Sequence, residues 1–585
     1  ESIDFESPTG SLTINGGTGS DLIHLERLDS ATALTSLVVN GDADSDAIHL
    51  NELASTITAE INGGADDDTI SIGREEDGLT NIQGPVSINH GLPASSDNAT
   101  GTSAIIAATD VTEGVTAKSL TVSVTLPVGD ELNINDQASV VPHTYTLDET
   151  SITRAGSPSI SYAMVDTLNV DTGSAGDTFN VLTTRSSTTV TVNTFAGEDT
   201  ISVSDSGDDS ILRLHSGTDA DDISIDSTGD RSVLLLTTAA GEDDVEVAST
   251  GDSSGLDIRT GTEIDVVTLG GTGTASATAI RLGADDDIAN VRATAATSFT
   301  DVFGGSENDT FNISSDADGD RTDASGGPAG NLDGILGEVC THGNDNTVVS
   351  STSESVTARG ETVTVSTTLG DELNIADSAS FNVNSYTLNL DQFERVGVAP
   401  ITYAAIETLN LETGSGDDSV LVSSTRAGTR TTLNTRGGTA NVAVNDTGDA
   451  SVFLLDTRLD SDIVSVANTG DASLLRINTA AGDDDVTVTT TGASAGLDIR
   501  SGTNVDVVTL LGTGDLAVTA ARLGPGDDIV NVQSLGTTSS TDLFLASGND
   551  VTNVTSSADG NRLDPGGTLS GNLDGILGEL FNEKF

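Results

Sequence analysis

Residues 177–203 read DTFNVLTTRSSTTVTVNTFAGEDTISV, and this stretch decides the fold. A pattern of Asp, any residue, an apolar residue, any residue and a second apolar residue begins at Asp177 and again at Asp199. Between them lies another alternating apolar pair, Val190 and Val192. Period-two alternation in short β-branched runs predicts strands. One segment of 22 residues therefore contains two strands, separated by turns rich in Gly and Asp.

The same step of 22 residues continues along most of the chain. The Asp pattern begins at Asp177, Asp199, Asp221, Asp243, Asp265, Asp287 and Asp309, and later at Asp418, Asp462, Asp484, Asp506, Asp528 and Asp550, with Ala440 in the Asp place once. Asp21, Asp46 and Asp68 carry it near the N-terminus. Strands that recur with identical turns pair in parallel with the same strand of the next segment. The sequence therefore predicts an all-β parallel β-helix (β-solenoid) with coils of about 22 residues, and right-handed coils are favoured because right-handed crossovers dominate parallel connections.

A longer repeat contains the short one. The segment GDELNI at Gly129–Ile134 recurs at Gly370–Ile375, and NLDGILGE at Asn331–Glu338 recurs at Asn572–Glu579, 241 residues later in both cases. The chain is therefore predicted to contain one unit of 241 residues written twice in tandem. The N-terminal stretch resembles the end of a third copy, because GGADDDTISI at Gly63 matches GGSENDTFNI 241 residues later.

This repeat predicts three segments: the end of a preceding repeat unit at 1–93, a first full unit at 94–340 and a second full unit at 341–585. The beginning of each full unit, 94–165 and 341–406, fits the 22-residue period poorly. We expect irregular coils with longer loops there, or a small packed insert. Regular coils are expected at 166–340 and 407–585.

The composition excludes several classes of protein. Lys and Arg number 22 against 91 Asp and Glu in 585 residues, so the net charge is −69. A chain this acidic is not expected to bind nucleic acid phosphates or anionic lipid, and no run of about 18 apolar residues predicts membrane insertion. Cys340 is the only cysteine, which excludes disulfide frameworks and Cys-based zinc sites. The chain begins at Glu1 without Met, so we expect a processed chain or part of a longer one.

The turn before the second strand carries a recognisable motif. GGTGSDLIH at Gly16–His24 fits G-G-x-G-x-D-x-U-x at every defined place. GGADDDTIS at Gly63–Ser71 and GGSENDTFN at Gly304–Asn312 fit with an acid in place of the second glycine. TGSGDDSVL at Thr413 and LGPGDDIVN at Leu523 are close variants.

These turns resemble the hemolysin-type (RTX-like) calcium-binding nonapeptide of bacterial secreted proteins. The resemblance implies Ca²⁺ held through Asp carboxylates and backbone carbonyls in the Gly-rich turns of successive coils. The family runs nonapeptides back to back, about 18 residues per coil, whereas one nonapeptide falls in each 22-residue coil here. A broader resemblance, seen in ITYAAIETLNLETGSGDDSV at Ile401–Val420, is to very large acidic repeat-containing bacterial surface and secreted proteins.

Calcium is also predicted from the residues themselves. Stacking in register places the Asp carboxylates of neighbouring coils about 4.8 Å apart, and a second acid often lies two residues earlier. Ca²⁺ prefers such oxygen-rich, flexible sites. The alternative interpretation is that each Asp only forms its turn by accepting backbone N–H bonds. The predicted Ca²⁺ ligands are Asp21, Asp66, Asp68, Asp285, Asp287, Glu307, Asp309, Asp418 and Asp528.

These observations favour a function outside the cell. We expect a calcium-stabilised solenoid rod that builds a filament, sheath, surface layer or fibre, and that self-associates through unpaired coil ends. The alternative is the stalk or binding region of a large bacterial adhesin with a glycan or protein ligand. A polysaccharide-active β-helix enzyme is favoured least, because Arg259 recurs as Arg500 and Arg281 as Arg522. No unique cluster breaks the repeat symmetry, so we predict that the chain is not an enzyme.

Overall fold

The computed structural model describes residues 9–28, 33–91, 102–109, 119–126, 129–326, 330–343, 350–567 and 571–584. The chain divides into two compact units, one formed by 1–110, 118–287 and 294–302, the other by 111–117, 288–293 and 303–585. Both consist of stacked parallel coils of about 22 residues, so the predicted all-β solenoid is confirmed. In the described ranges the only helical segment is a 3-10 turn, Leu79–Asn81, and no helix there is long and apolar enough to cross a membrane.

The first unit contains most of the strands up to residue 287. They are β1 (Gly10–Thr18), β2 (Leu22–Leu25), β3 (Leu34–Ala43), β4 (Ala47–Leu50), β5 (Thr58–Ala65), β6 (Thr69–Ile72), β7 (Val86–Asn89), β8 (Thr102–Thr109), β9 (Ser119–Leu126), β10 (Glu131–Asn135), β11 (Thr144–Asp148), β12 (Ser151–Arg154), β13 (Ile160–Ala163), β14 (Thr167–Asp171), β15 (Thr178–Val181), β16 (Thr189–Asn193), β17 (Thr200–Val203), β18 (Ile211–His215), β19 (Asp222–Ile225), β20 (Val233–Ala240), β21 (Asp244–Val247), β22 (Gly255–Thr262), β23 (Val266–Leu269) and β24 (Ala277–Ala284).

The remaining strands belong to the second unit, apart from the first residues of β26. They are β25 (Ile288–Val291), β26 (Phe299–Ser306), β27 (Thr310–Ile313), β28 (Glu338–His342), β29 (Ser350–Ala358), β30 (Glu361–Leu369), β31 (Glu372–Ala376), β32 (Ser385–Leu388), β33 (Gln392–Arg395), β34 (Ile401–Ala404), β35 (Thr408–Glu412), β36 (Ser419–Val422), β37 (Arg430–Asn434), β38 (Asn441–Val444), β39 (Val452–Asp456), β40 (Ile463–Val466), β41 (Leu474–Asn478), β42 (Asp485–Val488), β43 (Gly496–Gly502), β44 (Val507–Leu510), β45 (Val518–Leu523), β46 (Ile529–Val532), β47 (Ser540–Leu545), β48 (Val551–Val554) and β49 (Glu579–Lys584).

Each regular coil contributes one strand to each of two parallel sheets, and its inward side chains stack on those of the next coil. In the first unit Phe179 lies opposite Ile201, and Ile201 opposite Ile223. All three side chains are completely buried. The strand that precedes each turn Asp behaves in the same way, with Val190 opposite Leu212. The inward phase expected from the alternation is therefore observed, and the core consists of stacked apolar layers.

In the irregular segments 94–165 and 341–406, which we call the inserts, the order of the strands shifts by half a coil. In the N-terminal coils the strands that follow the turn Asp are β2, β4 and β6, and they stack on β10. β10 then pairs with β14, which precedes the next turn Asp, Asp177. The strand after Asp177, β15, lies in the other sheet against β11. The second unit repeats the shift where β27 pairs with β31 and β31 with β35.

Each insert also contains an antiparallel hairpin, β8–β9 in the first unit and β29–β30 in the second. The turn of the second hairpin, Arg359–Gly360, has φ angles of 57° and 83°, as two-residue hairpin turns require. Val356 packs in one apolar cluster with Leu474 and Val518, side chains on the outer face of coils more than 100 residues further along the chain. A β-carbon at Gly496 would approach Cγ1 of Val356 to 2.6 Å, so glycine lets the hairpin lie close to the sheet.

Candidate metal centre in the acidic turns

The Asp that begins the second strand of each coil accepts a backbone hydrogen bond from the coil before it. The N–H of Asp177 donates to Oδ1 of Asp199 at 2.6 Å, and the N–H of Asp199 donates to Oδ1 of Asp221 at 2.9 Å. We call such a row an Asp ladder. In the first unit the same bond joins Asp221 to Asp243, Asp243 to Asp265 and Asp265 to Asp287. Because the donor is a main-chain group, the ladder fixes the register of consecutive coils.

Separate ladders with the same geometry lie before and after the inserts. The N-terminal ladder runs from Asp21 to Asp46, Asp68 and Asp130, with N···O distances of 2.7, 2.9 and 3.0 Å. In the second unit Asp309 donates to Asp371 at 2.8 Å, and a further ladder runs through Asp462, Asp484, Asp506, Asp528 and Asp550. Ala440 donates its N–H to Asp462 but has no carboxylate of its own, so this ladder is interrupted there.

The ladder carboxylates are buried, and burial makes them costly to ionise. Asp199 is 1% exposed and Asp287 is completely buried. Burial raises the pKa of Asp287 to about 8, with the nearby carboxylates of Asp265 and Asp285 adding to the effect. Burial likewise raises the pKa of Asp199, Asp462 and Asp506 to about 7 and that of Asp68, Asp221, Asp418 and Asp528 to about 6. A bound proton or cation removes this cost.

A second row of acids lies two residues before the ladder. Asp66, Asp285 and Glu307 adopt φ angles of 75°, 88° and 82°, in the left-handed region, and all three are partly exposed. Oδ2 of Asp285 accepts the backbone N–H of Glu263 at 3.0 Å. Oδ2 of Asp219 accepts the N–H of Gly197 at 3.1 Å in the same way. We call these residues the outer acids; Asp285 and Asp219 also bind the backbone of the preceding coil.

The structure places every predicted Ca²⁺ ligand in one of these two rows. Asp21, Asp68, Asp287, Asp309, Asp418 and Asp528 are ladder residues, and Asp66, Asp285 and Glu307 are outer acids. Three turns bring two predicted ligands together: Asp66 with Asp68, Asp285 with Asp287, and Glu307 with Asp309. Asp21, Asp418 and Asp528 lie in turns that contain no second predicted ligand.

The turn-forming role of the Asp is therefore observed. The second carboxylate oxygen of several ladder residues is still available to bind a cation. Oδ2 of Asp21, of Asp68 and of Asp528 is buried and makes no hydrogen bond to any described residue. A buried carboxylate oxygen without a donor costs free energy. The donor set of these turns, carboxylates beside backbone carbonyls of Gly-rich loops, is the kind that Ca²⁺ accepts.

The opposite turn of each coil carries another row of Asp residues, in which the hydrogen bonds run in the opposite direction from coil to coil. The N–H of Asp230 donates to Oδ1 of Asp208 at 2.9 Å, and the N–H of Asp252 donates to Oδ1 of Asp230 at 2.9 Å. Here the carboxylate accepts from the coil after it. These residues are exposed, so their remaining oxygens are accessible to solvent.

Two ladder residues, Asp130 and Asp371, were not among the predicted positions. They follow Asp68 and Asp309 in their ladders although each lies 62 residues further along the chain. The local sequence does indicate them, because the segment DELNI begins at each of these two Asp residues. It fits the same pattern of Asp followed by alternating apolar residues. The 22-residue step could not find them because the hairpin insert lies between.

A buried Asp–Tyr–Arg cluster occurs once in each unit. Asp136 accepts hydrogen bonds from Tyr145 Oη at 2.6 Å and Arg154 Nη1 at 2.7 Å. In the second unit Tyr386 Oη and Arg395 Nη1 each donate to Asp377 at 2.7 Å. Leu79 and Leu332 donate their backbone N–H groups to these carboxylates. The clusters anchor the inserts to the coils, and their duplication favours a structural role.

A scan of the sequence against known protein families matches none of them, and no curated protein is significantly similar to the chain.

Proposed function

We propose that this chain is an extracellular structural protein in which Ca²⁺ bound at the acidic turns stabilises the stacked coils. The observation that carries the proposal is the Asp ladder, a row of buried carboxylates with raised pKa values. Cations bound at the ladder would neutralise these groups without breaking the N–H bonds that hold the register. The nonapeptide resemblance at Gly16–His24 supports Ca²⁺ as the cation and an extracellular location.

The best sites are the turns that contain two acids. Asp285 and Asp287 lie close enough for Asp285 to raise the pKa of Asp287, and Asp66 with Asp68 repeats the arrangement. Ca²⁺ takes six to eight oxygen ligands in flexible geometry, whereas Mg²⁺ demands a tight octahedron. Two carboxylates and neighbouring backbone carbonyls would therefore suit Ca²⁺ better than Mg²⁺.

The proposal is tested by calorimetric melting with chelator, Ca²⁺, Mg²⁺ and NaCl of matched ionic strength. Ca²⁺ should raise the melting temperature because an ion bound only by the folded state stabilises it by mass action. Mg²⁺ should do so less, and NaCl should only screen the net charge of −69. If Ca²⁺ acts no more strongly than NaCl, the ladders are turn formers only.

A matched pair of variants locates the effect. Asp285→Asn keeps an oxygen for the N–H of Glu263 and a residue that tolerates positive φ, but it removes a predicted Ca²⁺ ligand. Asp222→Asn removes the same charge from an exposed strand position. The Ca²⁺-induced rise in melting temperature should shrink in Asp285→Asn and persist in Asp222→Asn.

Self-association, the second part of the proposal, is supported by an exposed apolar loop in each unit. Val140 and Val141 are 75% and 54% exposed, and Phe381 and Val383 are 85% and 72% exposed. The double variant Val140→Ser, Phe381→Ser should lower the average mass in sedimentation, whereas Leu22→Ser, an exposed control, should not. A chain that stays monomeric while Ca²⁺ still stabilises it would instead favour the alternative, the stalk or binding region of an adhesin.

A further inference from the structure

The end of β7 in the first unit meets the N-terminal Asp ladder. β7 pairs in parallel with β5 and with β13, and His90 directly follows it. Asp68 and Asp130 precede β6 and β10, which pair in parallel with each other. Because β7 pairs in parallel with β5, its end lies beside the end of β5, from which the chain turns to Asp68 and β6. The fold therefore brings an imidazole from one sheet to the turn that leads into the other.

These three side chains are buried and close together. His90 is completely buried, Asp68 is 1% exposed and Asp130 is 2% exposed. One ligand atom from each lies within 4.8 Å of the other two, and Nδ1 of His90 is 3.5 Å from Oδ1 of Asp130.

Three polar atoms of this cluster have no hydrogen-bond partner among the described residues. Neither ring nitrogen of His90 makes a hydrogen bond to any described residue, and neither does Oδ2 of Asp68. A buried polar group without a partner costs about 1–3 kcal/mol, and buried polar groups in native proteins are nearly always bonded to something. The cluster therefore offers an imidazole nitrogen and carboxylate oxygens that one ligand would bind together.

The geometry points to a site for one divalent first-row transition metal ion of the Zn²⁺ type, bound by Asp68, His90 and Asp130. Imidazole suits Zn²⁺ and its neighbours, whereas Ca²⁺ and Mg²⁺ take oxygen ligands. Ligand atoms about 2.0–2.1 Å from a tetrahedral Zn²⁺ lie about 3.3 Å apart, close to the 3.5 Å between Nδ1 of His90 and Oδ1 of Asp130. This inference does not rest on the calcium proposal.

Further acids lie near the site. The carboxylate of Asp166 is near enough to Asp130 and His90 to interact with both electrostatically. A β-carbon at Gly129 would collide with that carboxylate and approach Asp67. Asp166 or a water molecule would supply the fourth ligand of a tetrahedral ion.

In the second unit the position equivalent to His90 is a glycine, Gly343. β28 pairs with β34 in the register that β7 keeps with β13. The N–H of Gly343 then donates to Ala404 as the N–H of His90 donates to Ala163. A side chain at Gly343 would collide with the carboxylate of Asp371, the ladder residue equivalent to Asp130. We therefore expect this transition metal site in the first unit only.

The test is Co²⁺ and Zn²⁺ binding to the full chain, stripped of metal and held in excess Ca²⁺ so that sites made of oxygen ligands alone are filled. At Asp68, which is also a predicted Ca²⁺ ligand, the imidazole of His90 favours the transition metal over Ca²⁺. We expect one Zn²⁺ per chain by equilibrium dialysis and Co²⁺ absorption bands without a thiolate charge-transfer band. His90→Gln should lose this ion while its melting temperature in Ca²⁺ stays close to that of the parent. His90→Gly, which copies the residue of the second unit, is the second variant if Gln disturbs folding.

Cys340→Ser is the control, because Sγ of Cys340 lies 3.1 Å from Nε2 of His342 and offers a competing site. Binding that survives Cys340→Ser and disappears with His90→Gln supports the proposal. It is overturned if the parent chain binds no stoichiometric Zn²⁺, or if Cys340→Ser abolishes the binding. Calcium stabilisation is measured separately, so its failure would leave this result unchanged.

Discussion

Oδ1 of Asp221 accepts a 2.9 Å hydrogen bond from the backbone N–H of Asp199, the residue in the same position one coil earlier. On the opposite turn the direction reverses, because Oδ1 of Asp208 accepts from the N–H of Asp230, one coil later. One row is buried and the other exposed. Carboxylates thus tie each coil to both neighbours, and only the buried row pays an electrostatic cost that a proton or cation can relieve.

Asp221→Asn should be tolerated far better than Asp221→Ala. An amide oxygen keeps an acceptor for the N–H of Asp199 and removes the charge whose burial raises the pKa of Asp221 to about 6. Alanine leaves the N–H without its partner, at a cost of about 1–3 kcal/mol. Denaturant unfolding at pH 8 without divalent ions measures both variants. Equal destabilisation by Asn and Ala would show that the hydrogen bond does not support the coil.

Without divalent ions the protein should be more stable at pH 5 than at pH 8. The unfolded pKa of Asp is about 3.9, whereas the folded pKa of Asp199 is about 7 and that of Asp287 about 8. The folded state therefore binds more protons between these values, and the stabilisation present below pH 4 is lost as the pH rises through 6 to 8. Melting temperatures across this range, repeated in high salt to screen surface repulsion, measure the effect. A melting temperature that rises from pH 5 to pH 8 would contradict it.

Ca²⁺ binding at pH 7 should release protons. Asp287, with a pKa of about 8, is largely protonated at that pH, and a cation displaces the proton. Titration calorimetry in two buffers of different ionisation enthalpy should give different apparent heats at pH 7 and converging heats at pH 9. The buffer difference should shrink in Asp287→Asn. Heats that do not depend on the buffer would exclude the ladder carboxylates as ligands.

Ile223→Asp should open the first unit locally, whereas Ser224→Asp should not. Ile223 is completely buried between the sheets, and Ser224 is exposed on the same strand. Burying an unpaired charge costs several kcal/mol, and each coil depends on its neighbours only. Limited proteolysis with mass spectrometry should show new cleavage near β19 in the first variant only. Cleavage in both, or in neither, would mean that the inward phase is wrong.

The sequence by itself determined the coil. Apolar alternation at Phe179, Ile201 and Ile223 set the strands and the inward face, because a one-residue slip would turn every side chain outward. The 22-residue step then set parallel stacking and placed Asp177 above Asp199. The acidic residues of the turns could be predicted for the same reason, because they recur at the same place in the sequence of each coil.

The tertiary structure decided what depends on distant segments. The half-coil shift at each insert, and the entry of Asp130 into the ladder of Asp68, follow from a hairpin whose folding the 22-residue step does not encode. The meeting of His90 with Asp68 and Asp130 needs the end of β7 to lie beside the turns from which β6 and β10 begin. The 241-residue offset aligns His90 with Asn331, whereas the strand pairing aligns it with Gly343. Sequence spacing measures distance along the chain, and a site is made by distance in space.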